Sequence, residues 1–290
     1  MFNIIVAPKN ECENSQTLTK RVAKYLKAEK VEYSVYFSNS YLDFSNNIKE
    51  AISFGETDFI VVGDDLALHN FVNEVKDINR IKFGIISAGK RNDFATSLNI
   101  KTNPILAVKD IIEKKVENVD FLIVNGTKVI NNILIGASVH VKEIFDNYKI
   151  KNSLTERFAR NSHGKDFEGV DLFFDVKNSK IRRENVFELI IANAGRNKGK
   201  NSSPLSNLKD GLFNVSYSTV DMAQENKHIL KTFENGSFIY NDKNKQLWLN
   251  NLKLSSPNKE IKAIIDGEMQ IVKDLEIEII EAGLKIYCKN

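Results

Sequence analysis

The spacing of apolar residues changes along the chain. Up to about Glu117, short apolar runs alternate with stretches of helical period; beyond it, apolar runs follow one another across Gly, Asn, Asp, Lys and Pro clusters. Ile4-Ile5-Val6-Ala7 ends at Pro8 and predicts a buried strand entering a loop. Leu18, Val22, Tyr25 and Leu26 predict a helix over 15–29, with Ser15 as its N-cap. Val31, Tyr33, Val35 and Phe37 alternate as a strand, and Ile48, Ala51 and Ile52 mark a helix over 45–54. A strand over 59–62, a helix over 66–78 and a strand over 83–86 follow. Such alternation implies βαβ units and a parallel sheet. Ligands of these sheets bind beyond the carboxyl ends of the strands, which is where Gly63-Asp64-Asp65 and residues 89–93 fall.

The second half predicts strands at 120–124, 129–135, 170–176, 187–192, 212–217, 246–254, 261–265, 275–280 and 284–288. It reads as β-rich, a sandwich or mixed barrel. The nearly continuous apolar run 186–194 predicts a central strand, 195–204 a polar loop, and 152–165 a loop or short helix. Trp248, between Leu247 and Leu249, reads as a packing residue. The expected division is an α/β domain over 1–125, to which the C-terminal residues can return, and a β-rich domain over 126–290.

Composition narrows the function classes. The 290 residues are 42% hydrophobic, enough for a sizeable core, and 41 basic against 38 acidic residues leave a net charge of +3. That balance excludes nucleic-acid binding by bulk charge. Cys12 and Cys288 stand far apart and read as free thiols rather than a metal or redox pair. The opening residues lack a basic stretch before a long apolar run, and no segment has the apolar length of a membrane span. The expectation is a cytoplasmic protein with room for peripheral contact at the inner membrane surface. Arg182-Arg183 and the basic residues of 196–200 are candidates for anionic lipid heads or a solvated face. His69, His140, His163 and His228 show no ligand spacing.

Candidate chemistry lies in the loops. Asp266-Gly267-Glu268 follows the apolar strand 261–265 and is either a hairpin turn or a pair of working carboxylates. Gly63-Asp64-Asp65 and Asn92-Asp93 each follow a strand, where acidic residues also serve as helix caps.

Taken in order, these segments resemble the diacylglycerol kinase-type lipid kinases over nearly the whole chain. Pro8 lies in the first loop. Val62-Gly63-Asp64-Asp65-Leu66 stands where that family has GGDGT, and residues 89–95 stand where it has GTxNDFA. Asp120, Val124-Asn125-Gly126, Asn193-Ala194, Pro204, Asp210-Gly211-Leu212 and Asp266-Gly267-Glu268 complete the series. The resemblance implies a fold of the NAD kinase and diacylglycerol kinase type, with ATP as co-substrate, Mg2+ as cofactor and a lipid hydroxyl such as that of diacylglycerol as acceptor. It implies nucleotide contacts at Pro8, Gly63, Asp64, Asp65, Gly89, Lys90 and Asn92. Asp64, Asp93 and Asp120 would organise Mg2+ through water, and Asn207, Asp210 and Leu212 a second, structural Mg2+. Asp266 would be the base and Glu268 its neighbour. The implied partners are a lipid substrate and a homodimer mate, with no nucleic acid.

Departures from the family pattern cluster at the phosphate end. Ala7 replaces Asn, Glu11 and Val62 each replace Gly, Asp65 replaces Gly, Leu66 replaces Thr and Lys90 replaces Thr. Val62 would crowd the phosphate approach and Asp65 would repel it, with Lys90 able to offset that charge. A catalytically silent homologue that binds lipid, nucleotide or a partner protein is the alternative. A nicotinamide-dinucleotide kinase, which shares the GGDGT loop, is a third.

Overall fold

The computed structural model describes residues 1–147, 167–177, 179, 181–225 and 228–288. The predicted loop 152–165 and His163 lie outside the described residues. The chain divides into two compact units, one of residues 1–121 with 280–290, the other of residues 122–279.

The first unit runs β1 (Phe2–Val6), α1 (Ser15–Ala28), β2 (Tyr33–Phe37), α2 (Tyr41–Ser53), β3 (Asp58–Gly63), α3 (Asp65–Glu74), β4 (Lys82–Ser87), α4 (Asp93–Ser97) and α5 (Pro104–Ile112). Its strands are parallel. β1 lies between β2 and β3, and β4 pairs with β3. Residues 285–287, returning from the end of the chain, add a further parallel strand beside β4. Every residue of β1 is buried, as a strand covered on both faces requires, whereas β2 at the edge is half-exposed. Ser15 departs from the expected N-cap: Asn14 holds that position, and the Ser15 hydroxyl donates to the Ala7 carbonyl at 2.9 Å. α2 begins four residues earlier than its apolar spacing indicates, because Ser40 caps it by accepting from the Asp43 amide at 3.1 Å.

β5 (Val116–Val124) leads into the second unit, which continues with β6 (Thr127–Val129), β7 (Asn132–Gly136), α6 (Ala137–Asn147), β8 (Val170–Asp175), β9 (Arg182–Ala192) and β10 (Phe213–Thr219). Then come α7 (Val220–Glu225), α8 (Ile229–Asn235), β11 (Lys245–Leu249), β12 (Asn251–Ser255), β13 (Ile261–Ile265), β14 (Glu268–Val272) and β15 (Asp274–Tyr287), which ends in the first unit. β9 is the hub: β10 pairs along one side, β8 and β7 share the other, and all three are antiparallel to it. β13 joins β7 to β14. One core cluster is built from strand residues such as Leu189, Ile191, Val215 and Leu254. A second packs Phe187, Ile190 and Ala192 of β9 with Ala137, Ile229, Phe233 and Phe238.

Four strand expectations change in detail, the first being 129–135, which divides between β6 and β7 across Ile130 and Asn131. The run 246–254 breaks into β11 and β12 at Asn250, and 275–280 joins 284–288 into the single β15. Within β15, Ala282 takes a left-handed φ of 50°. Trp248, on β11, is 46% exposed. Both cysteines are free and buried. Among the described residues, no helix is long and apolar enough to cross a membrane.

Candidate active site

In the first unit the loops after β1, β3 and β4 come together. Gly63 ends β3 where no side chain fits: a Cβ there would stand 2.4 Å from the Ala67 Cβ and 3.2 Å from the Ala7 Cβ. Asp64 caps α3, its Oδ1 accepting from the Ala67 amide at 3.2 Å. Burial pushes the Asp64 carboxyl above the usual carboxylate range, against its amide hydrogen bonds and the Arg91 charge. Gly89 (φ 73°) turns the next loop against it: a Cβ there would meet Cys12 Sγ at 3.0 Å and Asp64 Oδ2 at 3.3 Å. The Pro8 carbonyl accepts from the amides of Glu11 and Cys12 at 3.1 and 2.8 Å, rounding the first loop. Burial raises the Cys12 thiol pKa to about 12, so the thiol is neutral at this spot. The Asn92 side-chain amide donates to the Gly89 carbonyl at 3.5 Å, and Lys90 is exposed.

Two substituted positions behave differently from what the sequence suggests. Val62 is fully buried in β3, so its side chain fills the core and does not crowd the loop. Asp65 is 6% exposed and points inward. Its two oxygens accept from the amides of Asp93 (2.8 Å) and Phe94 (3.1 Å), and its own amide donates to the Arg91 carbonyl at 2.9 Å. The carboxylate thus satisfies two of the donors that the start of α4 leaves unpaired, and clasps one loop to the next. Local spacing does not fix which way a loop side chain turns, and Asp65 turns to the amides of α4 rather than outward.

Asp93 is buried within the same clasp at 7% exposure. Asp120, on β5, is 2% exposed and accepts from the Ala282 amide at 2.7 Å, which ties it to the returning strand. Among the described residues, no three His, Cys, Asp or Glu side chains converge to hold a metal directly.

The second unit carries the remaining candidates. Asn207 and Asp210 are exposed, and their Oδ1 atoms accept from the amides of Lys209 (3.2 Å) and Leu212 (3.1 Å), so both make local turns. Asp266 and Gly267, at φ 47° and 92°, form the tight turn between β13 and β14. Asp266 is 8% exposed. Its Oδ2 accepts from the Ile130 amide at 2.9 Å, and its Oδ1 from Asn131 and Asn132 at 2.8 and 3.2 Å. The Asp266 amide donates back to the Asn132 carbonyl at 3.0 Å. Three backbone amides therefore hold the Asp266 carboxylate in place. Glu268, two residues on, is exposed.

One charged residue stands out in the structure and not in the motif series. Glu188 on β9 is 1% exposed and accepts from the Ser138 amide in the first turn of α6 at 2.8 Å. Burial pushes its carboxyl up to about 7, more than Ser138 pulls it down. Its signal in the sequence is a single carboxylate inside the apolar run 186–194.

The arrangement matches known proteins. Residues 2–124 match the family described as Diacylglycerol kinase catalytic domain. A "Putative lipid kinase" of Staphylococcus carnosus is 26% identical over 237 residues, covering 79% of this chain and 76% of that protein. One from Staphylococcus haemolyticus is 25% identical over 264 residues, covering 84% and 81%. Residues 2–124 are thus similar to the diacylglycerol kinase catalytic domain, and most of the chain is similar to putative lipid kinases. Its fold agrees. The solved structure titled "A putative diacylglycerol kinase from Bacillus anthracis str. Sterne" superposes with a TM-score of 0.77 at 17% identity, covering 99% of this chain and 96% of that one. An NAD kinase from Archaeoglobus fulgidus, in complex with ATP, does so with a TM-score of 0.55 at 13% identity, covering 99% and 93%. The fold is that of the NAD kinases and diacylglycerol kinases, a parallel α/β sheet followed by a β-rich region.

Proposed function

We propose that this protein moves the γ-phosphoryl group of ATP to the hydroxyl of a lipid, a diacylglycerol by analogy with the family. The observation that supports this most is the turn of Asp65 toward the amides of Asp93 and Phe94. It takes one of the two added negative charges, the other being the exposed Glu11, away from the loop surface formed at Gly63, Asp64 and Gly89. Phosphoryl transfer asks the protein for backbone approach, cations, a metal and a base. The first unit would hold the nucleotide, with Pro8, Gly63, Gly89 and Asn92 supplying backbone and amide contacts and exposed Lys90 a cation.

Mg2+ would suit the hard oxygen donors of Asp64, Asp93 and Asp120 through water, Asp64 being set by the Ala67 amide and Asp120 by the Ala282 amide. When bound it would neutralise phosphate charge. Asn207, Asp210 and Leu212 are the proposed holders of a second ion. The second unit would take the acceptor lipid, with Asp266 and Glu268 as its candidate carboxylates.

The test is Mg-ATP-dependent phosphorylation across a lipid panel, with Asp64→Asn as the control. Turnover that survives this substitution undiminished would remove Asp64 from the site. Ala7 and Leu66 favour a second reading, a catalytically silent homologue, because neither brings a side-chain donor where the family has Asn and Thr. Calorimetry with ATP, ADP and NAD separates the two: micromolar Mg-ATP binding counts against the silent reading.

A further inference from the structure

Leu205, Tyr240 and Trp248 take no part in the proposed phosphoryl transfer, and all three are exposed, Tyr240 at 85%. They come from two segments of the second unit, 196–210 and 236–248, that the fold pins together. The Ser203 hydroxyl donates to Asn214 Oδ1 at 3.2 Å, and Asn214 stands directly opposite Trp248 across the β10–β11 pair. Gly236 abuts the first segment: a Cβ there would stand 2.3 Å from the Asn201 carbonyl oxygen and 2.8 Å from the Pro204 Cδ. The turn 237–240 runs on toward β11, fixed by the Asn244 side chain, which donates to the Phe238 carbonyl at 2.9 Å. Both segments lie on one side of the sheet. Directly opposed strand residues share a face, so Trp248, Asn214 and Ala192 point the same way. Ala192 packs in the core cluster that also holds Phe238.

We propose that this patch is a docking surface for a bilayer containing anionic lipids. Scattered single apolar residues on a surface are ordinary, whereas a linked group rimmed by charge marks an interface. Charge selects the occupant. Residues 196–210 and 236–248 carry six basic side chains, Arg196, Lys198, Lys200, Lys209, Lys243 and Lys245, against two carboxylates, Asp210 and Asp242. Glu234 offsets one more, pairing with Lys200 at 2.8 Å. The patch stays basic, so a second copy of it is repelled and anionic headgroups are attracted. Trp and Tyr suit the same boundary, since each has an apolar ring with one polar tip that sits at headgroup depth. Leu205, on its exposed turn, adds apolar area beside them. The contact involves no nucleotide, so it stands apart from the kinase reading.

Trp248 is the only tryptophan of the chain, so its emission reports on this patch. The experiment mixes the full chain with vesicles of equal parts phosphatidylglycerol and phosphatidylcholine, and with vesicles of phosphatidylcholine alone. On the anionic vesicles the emission should move to shorter wavelength and be quenched by lipids brominated high in the acyl chain. Binding should be about tenfold or more stronger than to phosphatidylcholine. That advantage should vanish at about 1 M salt, where the screening length is about 3 Å. Lys243→Glu with Lys245→Glu should weaken binding to the anionic vesicles about tenfold or more. Leu205→Ser with Tyr240→Ser should weaken it at every salt concentration, and neither pair should move the thermal midpoint, because all four side chains are exposed. Unshifted, unquenched Trp248 emission on anionic vesicles overturns the proposal. So does co-sedimentation with vesicles while Trp248 stays unquenched, which puts the contact elsewhere on the molecule. Equal binding to both vesicle types at all salt concentrations removes the role of charge and overturns it as well. Emission that shifts with protein concentration in the absence of lipid gives the patch to a second copy instead.

Discussion

Replacing Asp65 by glycine, the residue of the family pattern, removes the acceptor for the Asp93 and Phe94 amides and frees the backbone at 65. Buried donors left unpaired cost about 1–3 kcal/mol. Asp65→Gly should therefore lower the urea midpoint and speed amide exchange at 93 and 94, without tightening Mg-ATP binding in calorimetry. Tighter binding would mean that the charge does reach the phosphate.

Glu188 gives a pH-dependent counterpart. Its folded pKa, about 7, lies above the ordinary glutamate value of 4.5, so the native state binds the extra proton between them. Stability from this group is full at the acid end and is lost as pH rises through about 7, by roughly 3 kcal/mol in all. Glu188→Gln should flatten that slope between pH 5 and pH 8 in urea unfolding. An unchanged slope would show that Glu188 does not titrate in this range.

At the scale of elements, tight junctions explain where strands stop and helices start. Gly63 sits between β3 and α3 with the Ala67 Cβ only 2.4 Å from where its own would be. Gly136, between β7 and α6, combines a φ of 113° with a backbone obstacle, the Phe187 carbonyl oxygen, 2.3 Å from its Cβ position. Overpacking costs typically 1–3 kcal/mol, and a positive φ adds about 1–2 kcal/mol for a side chain. Gly136→Ala should thus lose more stability in thermal unfolding than Gly63→Ala, because Ala67 is a small neighbour and a strand backbone cannot move aside. The reverse order would mean that β9 yields at Phe187.

For the whole molecule, the path of β15 matters most. Its last residues, 285–287, pair with β4, and the Ala282 amide serves Asp120. Ending the chain at residue 279 exposes the edge of β4 and strips Asp120 of that donor. Open parallel edges invite association, so the shortened chain should aggregate and unfold at lower urea, as read by light scattering and circular dichroism. Unchanged solubility and midpoint would make the strand dispensable. The return of these residues was only one possibility in the sequence, because an apolar run does not name its partner strand. The alternation of β and α elements from β1 to β4 was plain, because β1, β3 and β4 are mostly buried and α1, α2 and α3 each show an apolar stripe. Helices α5, α6, α7 and α8 were missed and α4 was marked only by its cap residues: all are short, and α6, α7 and α8 lie among strands.

By itself the sequence determined the order of elements from β1 to β4 in the first unit, the β-rich character of the second and the loops that carry acidic residues. Periodicity and turn chemistry are local and survive in one dimension. Which way those acidic side chains turn was decided only by the tertiary structure. Asp65 closes on α4 and Asp266 on residues 130–132, whereas Glu268 stays open, because each carboxylate goes to the unpaired amides that folding brings beside it. A partner 28 residues away in one case and 136 in the other leaves no trace in local spacing.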